Sequence, residues 1–253
     1  MVEKFCIILP LMTMGRVEKL EAKIPAEVNA VVEKLQDAGF QAYVVGGCVR
    51  DILLGRKPDD WDVTTNAAPE EMRALFPESF YENKFFTVTV KTASPEPTLR
   101  EIEVTTFRAE GRYRDKRHPE EVRPAKTLEE DLSRRDFTIN AMALEVKDQK
   151  LEIRDPYGGQ KDLTAKLIRA VGNGERRFEE DALRMLRAAR LASQLVGFKI
   201  EDETKSAIKK NAAWLQAISK ERIRDEFSKI VITEAAWPGL ELLQELELLK
   251  YIV

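Results

Sequence analysis

The stretch from Tyr43 to Thr65, YVVGGCVRDILLGRKPDDWDVTT, constrains the fold more than any other part of the chain. Its first residues predict a strand over 41–45, which two glycines follow, and VRDILLG predicts a short helix that stops at Gly55. A strand, a glycine turn and a helix together bring backbone N–H groups to a helix N-terminus, where phosphate oxygens can bind. The GxGxxG and GxxxxGK[ST] spacings are absent, so the two glycines alone are more often only a turn.

A second strand is predicted over 60–65, and its two aspartates are candidate metal ligands. The two-residue period of a strand places Asp60 and Asp62 on one face and Trp61 on the other. Two carboxylates on one face repel unless a cation or protons lie between them, which favours a hard divalent metal. For such a pair in isolation, a solvated strand edge is the commoner explanation. Glu103, in the alternating strand predicted over 100–106, is a candidate third carboxylate, although most strand glutamates are simply exposed.

The amino-acid composition limits the kinds of catalytic and metal sites that the chain can form. The 253 residues are 43% hydrophobic and 34% charged, which is typical of a folded globular protein with one large or two modest domains. One histidine and two cysteines exclude a disulfide framework, a four-ligand zinc site and mechanisms that need several histidines. We therefore expect a reducing cytoplasm as the location and carboxylates as the catalytic groups. The N-terminal FCIILPLM is far shorter than a membrane span, so no membrane partner is expected.

The net charge of −3 gives no global sign of a nucleic-acid partner. Basic residues nevertheless crowd into 100–123, where they can meet several phosphates if the segment faces a cleft. A solvated loop explains this charge equally well. The residues are Arg100, Arg108, Arg112, Arg114, Lys116, Arg117 and Arg123.

The pattern along the chain predicts an α+β fold in two parts. A helix over 25–39 and a strand pair over 87–92 and 100–106 belong to an N-terminal part with a mixed β-sheet flanked by helices. From Phe178 the pattern is helical to the end, with helix breaks at Gly197 and at Trp237-Pro238-Gly239. We expect an extension over 1–24, a domain over 25–170, called here the head, and an all-helical part over 171–253, called the neck.

The segment FEEDALRMLRAARLASQLV predicts one amphipathic helix. Its buried stripe comprises Ala182, Met185, Leu186 and Ala189, whereas Asp181, Arg184 and Arg187 follow one another three residues apart on another face. An ordinary surface ladder of ion pairs has the same pattern. If that face looks into the same cleft as the aspartates, its carboxylate and guanidinium groups can pair with the edge of a nucleobase.

Taken in order, these segments closely resemble the class II tRNA nucleotidyltransferases, or CCA-adding enzymes, and the related bacterial poly(A) polymerases of the polymerase-β-like superfamily. The resemblance runs from about residue 41 to the end of the chain. Any single motif is weak, but the ordered set is highly specific. The motifs are VVGGCVRDILLG with DDWDVTT, IEVTTF, RRDFTINAMAL, DPYGGQKDL, RRFEEDALRMLRAAR and ISKERIRDEFSKI.

The resemblance implies a nucleotidyltransferase that adds CMP and AMP from CTP and ATP to the 3′ end of tRNA without a nucleic-acid template. It implies two Mg²⁺ ions bound by Asp60, Asp62 and Glu103. It further implies a nucleotide-binding set in three groups: Gly46, Gly47, Arg50 and Asp51 at the triphosphate; Arg135, Asp136 and Asn140 at the sugar and phosphates; and Glu180, Asp181, Arg184 and Arg187 on the base-selecting segment. In the family's EDxxR motif the Asp and Arg side chains pair with the base. Glu221, Arg222 and Glu226 match a motif thought to steady that segment.

The resemblance leaves several activities open. Residues 108–119 match the family's flexible loop, which is needed for the terminal A, so CC-only addition is disfavoured, whereas A-only addition and poly(A) synthesis are not separated from CCA addition. Relatives usually continue into further helical domains, so an early C-terminus at Val253 is expected to affect tRNA selection. A non-catalytic RNA- or nucleotide-binding module and an antibiotic-modifying nucleotidyltransferase are the alternatives from outside the family, and the second would lack the EDxxR segment.

Overall fold

The computed structural model describes residues 24–82, 86–110, 122–147 and 150–252, so nearly all of the expected extension lies outside the described residues. The strands are β1 Ala42–Val45, β2 Asp62–Thr65, β3 Ser79–Glu82, β4 Thr87–Lys91, β5 Glu101–Thr106, β6 Arg108–Glu110, β7 Val122–Pro124, β8 Ala143–Lys147, β9 Lys150–Arg154, β10 Leu167–Ile168 and β11 Lys199–Ile200. The α-helices are α1 Ala26–Asp37, α2 Gly47–Leu53, α3 Pro69–Leu75, α4 Leu128–Ser133, α5 Gly159–Ala165, α6 Gly174–Glu180, α7 Leu183–Gln194, α8 Asp202–Asn211, α9 Lys220–Val231 and α10 Ala236–Glu245.

A seven-stranded sheet with the order β3-β4-β5-β2-β1-β8-β9 forms the head. Strands β2 and β5 are parallel, and the other neighbouring pairs are antiparallel, so the mixed sheet and the α+β class are confirmed. The predicted hairpin partners β4 and β5 do pair. The β2–β5 register places Asp62 opposite Glu103. Asp60 precedes β2 rather than lying within it, because the strand begins at Asp62.

The main core is continuous from the head into the neck. Buried side chains of α1, such as Val28 and Leu35, join those of the sheet and of α7, such as Met185 and Leu186, in one hydrophobic cluster. At about 25 cal/mol per Å² of buried apolar surface, such a cluster is the main stabilising contribution to the fold. A smaller cluster around Phe107 and Leu132 lies beneath β6 and α4. Among the described residues, none of the helices has the length and apolar character needed to cross a bilayer.

The neck corrects three predictions. The predicted single helix is two, α6 and α7, because Asp181 has the extended dihedral angles φ −146° and ψ 106°. Trp237-Pro238-Gly239 lies inside α10 instead of breaking a helix, since Pro238 falls in the first turn, where no intrahelical amide partner is needed. The neck is also not purely helical, because its β11 pairs in parallel with β10 of the head.

Candidate active site

A cleft of about 1240 Å³ lies between the sheet of the head and helices α7 and α9 of the neck. All but one of the predicted site residues line it: Gly46, Gly47, Arg50, Asp51, Asp60, Asp62, Glu103, Arg135, Asp136, Asn140, Asp181, Arg184 and Arg187. The exception is Glu180, which is buried behind the cleft wall. Residues that lie far apart in the sequence therefore meet in one place.

The turn after β1 depends on Gly46 for two reasons. Its φ of +88° is unfavourable for any side chain larger than hydrogen. A Cβ atom there would also lie 3.0 Å from Nη1 of Arg135 and 3.2 Å from Oδ2 of Asp62. At Gly47 the nearest side-chain atom, Nη2 of Arg50, would be 3.5 Å away, which is an ordinary contact. Gly46 is therefore the glycine that lets the turn approach the charged groups of the cleft.

Arg50, on α2, is fixed by two partners. Its Nη2 donates to Oδ2 of Asp51 at 2.8 Å and its Nε donates to Oδ1 at 3.1 Å, a fork-shaped pair. Its Nη1 donates to Oδ1 of Asn140 at 2.8 Å. Asn140, in the 3₁₀ turn Thr138–Asn140, in turn donates from Nδ2 to Oδ1 of Asp136 at 3.1 Å. The guanidinium group of Arg50 is thus held in one orientation at the edge of the cleft.

Asp136 connects this network to the neck. Arg187 of α7 reaches Oδ2 of Asp136 through Nε at 2.8 Å and Nη2 at 2.7 Å. Burial, the largest influence, opposes ionisation of the carboxyl group, but Arg187, Asn140 and the backbone amide of Phe137 outweigh it and hold the pKa of Asp136 well below its usual value. Asp136 and Arg187 therefore form a permanent ion pair between head and neck at neutral pH.

The three candidate metal ligands lie together in the cleft but are not preassembled. Burial, followed by the charge of Asp60, raises the pKa of Asp62, while Arg135 opposes the shift. Carboxylate oxygens are the ligands that Mg²⁺ prefers, so the set formed by Asp60, Asp62 and Glu103 suits a hard divalent cation. Within the described ranges, however, no three acidic, histidine or cysteine side chains are close enough to form a ready metal cluster. Asp60 and Glu103 are exposed, so their side chains can change rotamer without disturbing the core.

Cys48, on α2, is close to these carboxylates but does not act as a nucleophile. Its side chain is buried, and its Sγ donates to the carbonyl oxygen of Val45 at 3.1 Å. Burial, together with the charge of Asp62, raises the pKa of the thiol to about 12. A thiol with such a pKa is protonated at neutral pH. The polar groups of the cleft thus supply charge and hydrogen bonds.

Arg184, at the start of α7, is held in a buried position on the neck side of the cleft. Its Nη1 donates to Oε2 of Glu180 at 2.7 Å and to the carbonyl oxygen of Arg177 at 3.1 Å. Its Nη2 donates to the carbonyl oxygen of Arg134 in the head at 2.9 Å. Glu180 also accepts from Arg177. Asp181 and Arg184 do not share the face of one helix as predicted, because Asp181 lies between the two helices.

Asp181 is positioned from two sides. Its Oδ1 accepts from the backbone N–H of Leu183, the first residue of α7, at 3.0 Å. Its Oδ2 accepts from Nη2 of Arg222 on α9 at 2.8 Å. Glu226, one turn further along α9, pairs with Nε of Arg190 on α7 at 2.7 Å. Arg222 and Glu226 thus tie α9 to Asp181 and to α7.

Several groups that shape the cleft were not predicted from the sequence. Arg134, Lys166, Arg190 and Lys229 also line it. Asp131, which is fully buried beneath it, was not singled out, although its spacing from two arginines three and four residues later is the usual signal of a helical ion pair. Of the basic stretch, Arg108 lines the cleft, Arg100 and Arg123 are exposed, and the rest lies outside the described residues. Residues 111–119 of the flexible loop that was predicted over 108–119 also lie outside them.

A nucleotidyltransferase-like head joined to a helical segment is the class that this sheet, glycine turn and carboxylate set define. The family described as "Poly A polymerase head domain" matches residues 42–169, and the family described as "Probable RNA and SrmB-binding site of polymerase A" matches residues 197–253. The chain therefore belongs to the poly A polymerase head-domain family.

Known relatives agree with this assignment. The chain is 47% identical over 220 residues to a CCA-adding enzyme of Lactobacillus helveticus, covering 87% of this chain and 53% of the relative. It is 46% identical over 223 residues to a CCA-adding enzyme of Geobacillus thermodenitrificans, covering 88% and 53%. The chain thus spans about half the length of the curated relatives that it matches.

Solved structures also match. A crystal structure of the Bacillus stearothermophilus CCA-adding enzyme in complex with CTP superposes with a TM-score of 0.79 at 39% identity, covering 90% of this chain and 54% of that one. A Thermotoga maritima CCA-adding enzyme complexed with tRNA superposes with a TM-score of 0.76 at 25% identity, covering 93% and 55%. The fold of the head and the neck is therefore that of CCA-adding enzymes.

Proposed function

We propose that this protein adds CMP and AMP from CTP and ATP to the 3′ end of tRNA without a nucleic-acid template, in the cytoplasm. One observation carries the proposal: a single cleft joins the carboxylates of the head to Asp181 and Arg184 of the neck. The similarity to CCA-adding enzymes solved with CTP and with tRNA supports the same substrates. An antibiotic-modifying nucleotidyltransferase is disfavoured, because it would lack the neck segment.

In the proposed reaction, the 3′-hydroxyl oxygen of the RNA attacks the α-phosphorus of the nucleotide. The new P–O bond forms as the bond to pyrophosphate breaks, in line, so no protein nucleophile is needed. Asp60, Asp62 and Glu103 are proposed to hold two Mg²⁺ ions. When bound, such ions lower the pKa of the attacking hydroxyl group and neutralise the charge of the departing pyrophosphate.

The triphosphate is proposed to lie against the glycine turn and Arg50, with Arg135 opposite. Because Arg50 is held by Asp51 and Asn140, its guanidinium loses little freedom on binding a phosphate. Because Gly46 has no side chain, the guanidinium group of Arg135 can lie against the turn. These groups bind a triphosphate whatever base it carries, so they supply affinity and not selectivity.

Base selection is assigned to Asp181 and Arg184. A carboxylate supplies acceptors and a guanidinium supplies donors, which is what the Watson–Crick edges of cytosine and adenine require in combination. Glu180 and Arg222 hold the two side chains in place from behind. Preorganised donors and acceptors discriminate well, because a wrong base leaves them unpaired in the cleft.

A primer-extension assay tests the proposal with a tRNA that ends just before the CCA sequence. With CTP alone we expect two additions, with ATP alone none, and with both nucleotides three. Starting from a tRNA that ends in CC, ATP alone should add one residue. Addition of A only to the CC-ending tRNA would identify an A-adding enzyme, arrest after CC a CC-adding one, and a long A tail a poly(A) polymerase. No incorporation, with CTP binding intact, would favour the non-catalytic binding module.

A further inference from the structure

Asp131 of α4 is a buried acidic residue that lies outside all the predicted site residues. Its side chain is 0% exposed, so it cannot touch a substrate. The cap of α4, in which Oγ1 of Thr127 accepts from the backbone N–H of Glu130, starts the helix so that Asp131 points inward. A buried carboxylate is costly to desolvate unless several donors surround it.

Three groups of the cleft converge on this carboxylate. Its Oδ1 accepts from Nη2 of Arg134 at 2.7 Å and from Nε at 3.1 Å, and its Oδ2 accepts from Nη2 of Arg135 at 3.4 Å. Its Oδ1 also accepts from the backbone N–H of Arg108 at 3.0 Å, at the start of β6. Arg108, Arg134 and Arg135 all line the cleft that holds the candidate metal ligands.

The guanidinium of Arg135 links Asp131 to the glycine turn. Its Nη2 lies at Asp131, and its Nη1 is the atom that a Cβ at Gly46 would meet at 3.0 Å. Arg135 is also the strongest positive influence on Asp62. Rotation of Arg135 away from Asp131 would therefore remove its charge from the turn and from the candidate metal ligand together.

We propose that Asp131 is a positioning residue for the triphosphate, an inference that rests on the proposed function. From beneath the cleft, its carboxylate orients the side chains of Arg134 and Arg135 toward the phosphates. It also fixes the backbone at Arg108. The ligand group that Asp131 helps to bind is the polyphosphate anion, and the nucleobase plays no part in this binding. Asp131 acts only through these arginines and never contacts the nucleotide.

The test variant is Asp131→Asn, which keeps the size of the side chain and removes its charge. We expect the KM for CTP and the KM for ATP to rise together, by about tenfold or more, with kcat changed less than about threefold, because ground-state phosphate binding is what is lost. The dissociation constant for inorganic tripolyphosphate, measured by calorimetry without RNA, should rise by the same factor. This binding measurement needs no turnover, so failure of CCA addition would leave it interpretable.

Asp162→Asn is the matched control. Asp162 is also buried and also pairs with an arginine, Arg169 at 3.1 Å, but neither residue lines the cleft. It should lower the melting temperature as Asp131→Asn does and leave tripolyphosphate affinity within about twofold of the wild type. If Asp131→Asn is unfolded, Asp131→Glu keeps the charge but displaces it by one methylene, and a smaller loss of affinity is expected. A folded Asp131 variant that binds tripolyphosphate like the wild type would overturn the proposal, as would equal losses in Asp162→Asn.

Discussion

The candidate metal ligands on the head wall of the cleft and the candidate base-selecting segment on the neck wall differ in how their charges are paired. On the head wall, no salt bridge joins Asp60 or Asp62 to a basic side chain within the described ranges. The charge of Asp60 adds to the effect of burial in raising the pKa of Asp62. On the neck wall, Arg184 pairs with Glu180, Asp181 with Arg222, and Arg190 with Glu226. Asp60 and Asp62 therefore have negative charge available to an incoming cation, whereas the charged side chains around Asp181 and Arg184 are already paired.

The difference indicates a division of labour. Carboxylates that make no salt bridge, such as Asp60 and Asp62, would attract Mg²⁺ and, through it, a triphosphate, so the head wall is suited to triphosphate binding and to chemistry. Side chains locked in mutual pairs present their remaining acceptors and donors in fixed directions, so the neck wall is suited to distinguishing bases. The Asp136–Arg187 pair joins the two walls.

The largest expected effect comes from the head wall. Asp62→Asn and Glu103→Gln should each lower CMP incorporation by about a thousandfold or more, because a weakened metal site loses several kcal/mol of transition-state stabilisation. Incorporation kinetics over a range of Mg²⁺ concentrations measure the loss. Glu101→Gln is the matched control, since Glu101 is exposed two residues earlier on β5 and does not line the cleft. Activity near that of the control in either variant would refute the assignment of that residue.

Among these variants, loss of the Asp136–Arg187 pair that connects the walls should have the largest effect on the free energy of unfolding. Asp136→Asn leaves the charge of Arg187 uncompensated and should cost about 3 kcal/mol of unfolding free energy at neutral pH. Because the folded-state pKa of Asp136 is depressed, its contribution is complete above the unfolded-state value of about 4 and declines as the pH falls below it. Urea titrations between about pH 3 and pH 7 should show the difference between the two proteins beginning to shrink below about pH 4, whereas the exposed Asp225→Asn control should track the wild type. A pH-independent difference would contradict the assigned pair.

On the neck wall, Arg184→Ala should impair selectivity. Misincorporation of UMP relative to CMP should rise about tenfold or more, in line with about 1–3 kcal/mol for a good pairing contact to a base. Competition assays with labelled CTP and UTP give the ratio. Arg176→Ala, an exposed arginine at 3.6 Å from Glu180, removes a charge nearby without touching the cleft and should leave the ratio unchanged. Equal ratios in all three proteins would remove Arg184 from base selection.

The smallest effect is expected from loss of the pair between Arg222 and Asp181, which holds Asp181 in place on the neck wall. Arg222 and Asp181 are partly exposed, so Arg222→Ala should lower the unfolding free energy by only about 0.5–1 kcal/mol. A double-mutant cycle with Asp181→Asn isolates the coupling between the two side chains. Zero coupling would mean that α9 does not steady Asp181 through this pair.

The sequence predicted the mixed sheet, the α+β class and a set of site residues of which all but Glu180 line the cleft, because period-two strands, the glycine turn and ordered motifs are local signals. It did not predict the break at Asp181, since the helical spacing continues through that residue and only tertiary contacts, such as the pair with Arg222, favour the extended angles there. It also missed Asp131, whose importance depends on three groups that meet only in the folded chain.

Nucleotide binding tests the division of labour most directly. Dissociation constants for CTP and UTP should be measured with Mg²⁺ and without RNA for the wild type, Asp62→Asn and Arg184→Ala. We expect Asp62→Asn to weaken the binding of both nucleotides by the same factor, which keeps the ratio of the UTP to the CTP dissociation constant, and Arg184→Ala to lower that ratio. A ratio that falls in Asp62→Asn, or one that survives in Arg184→Ala, would contradict the separation of triphosphate binding from base selection.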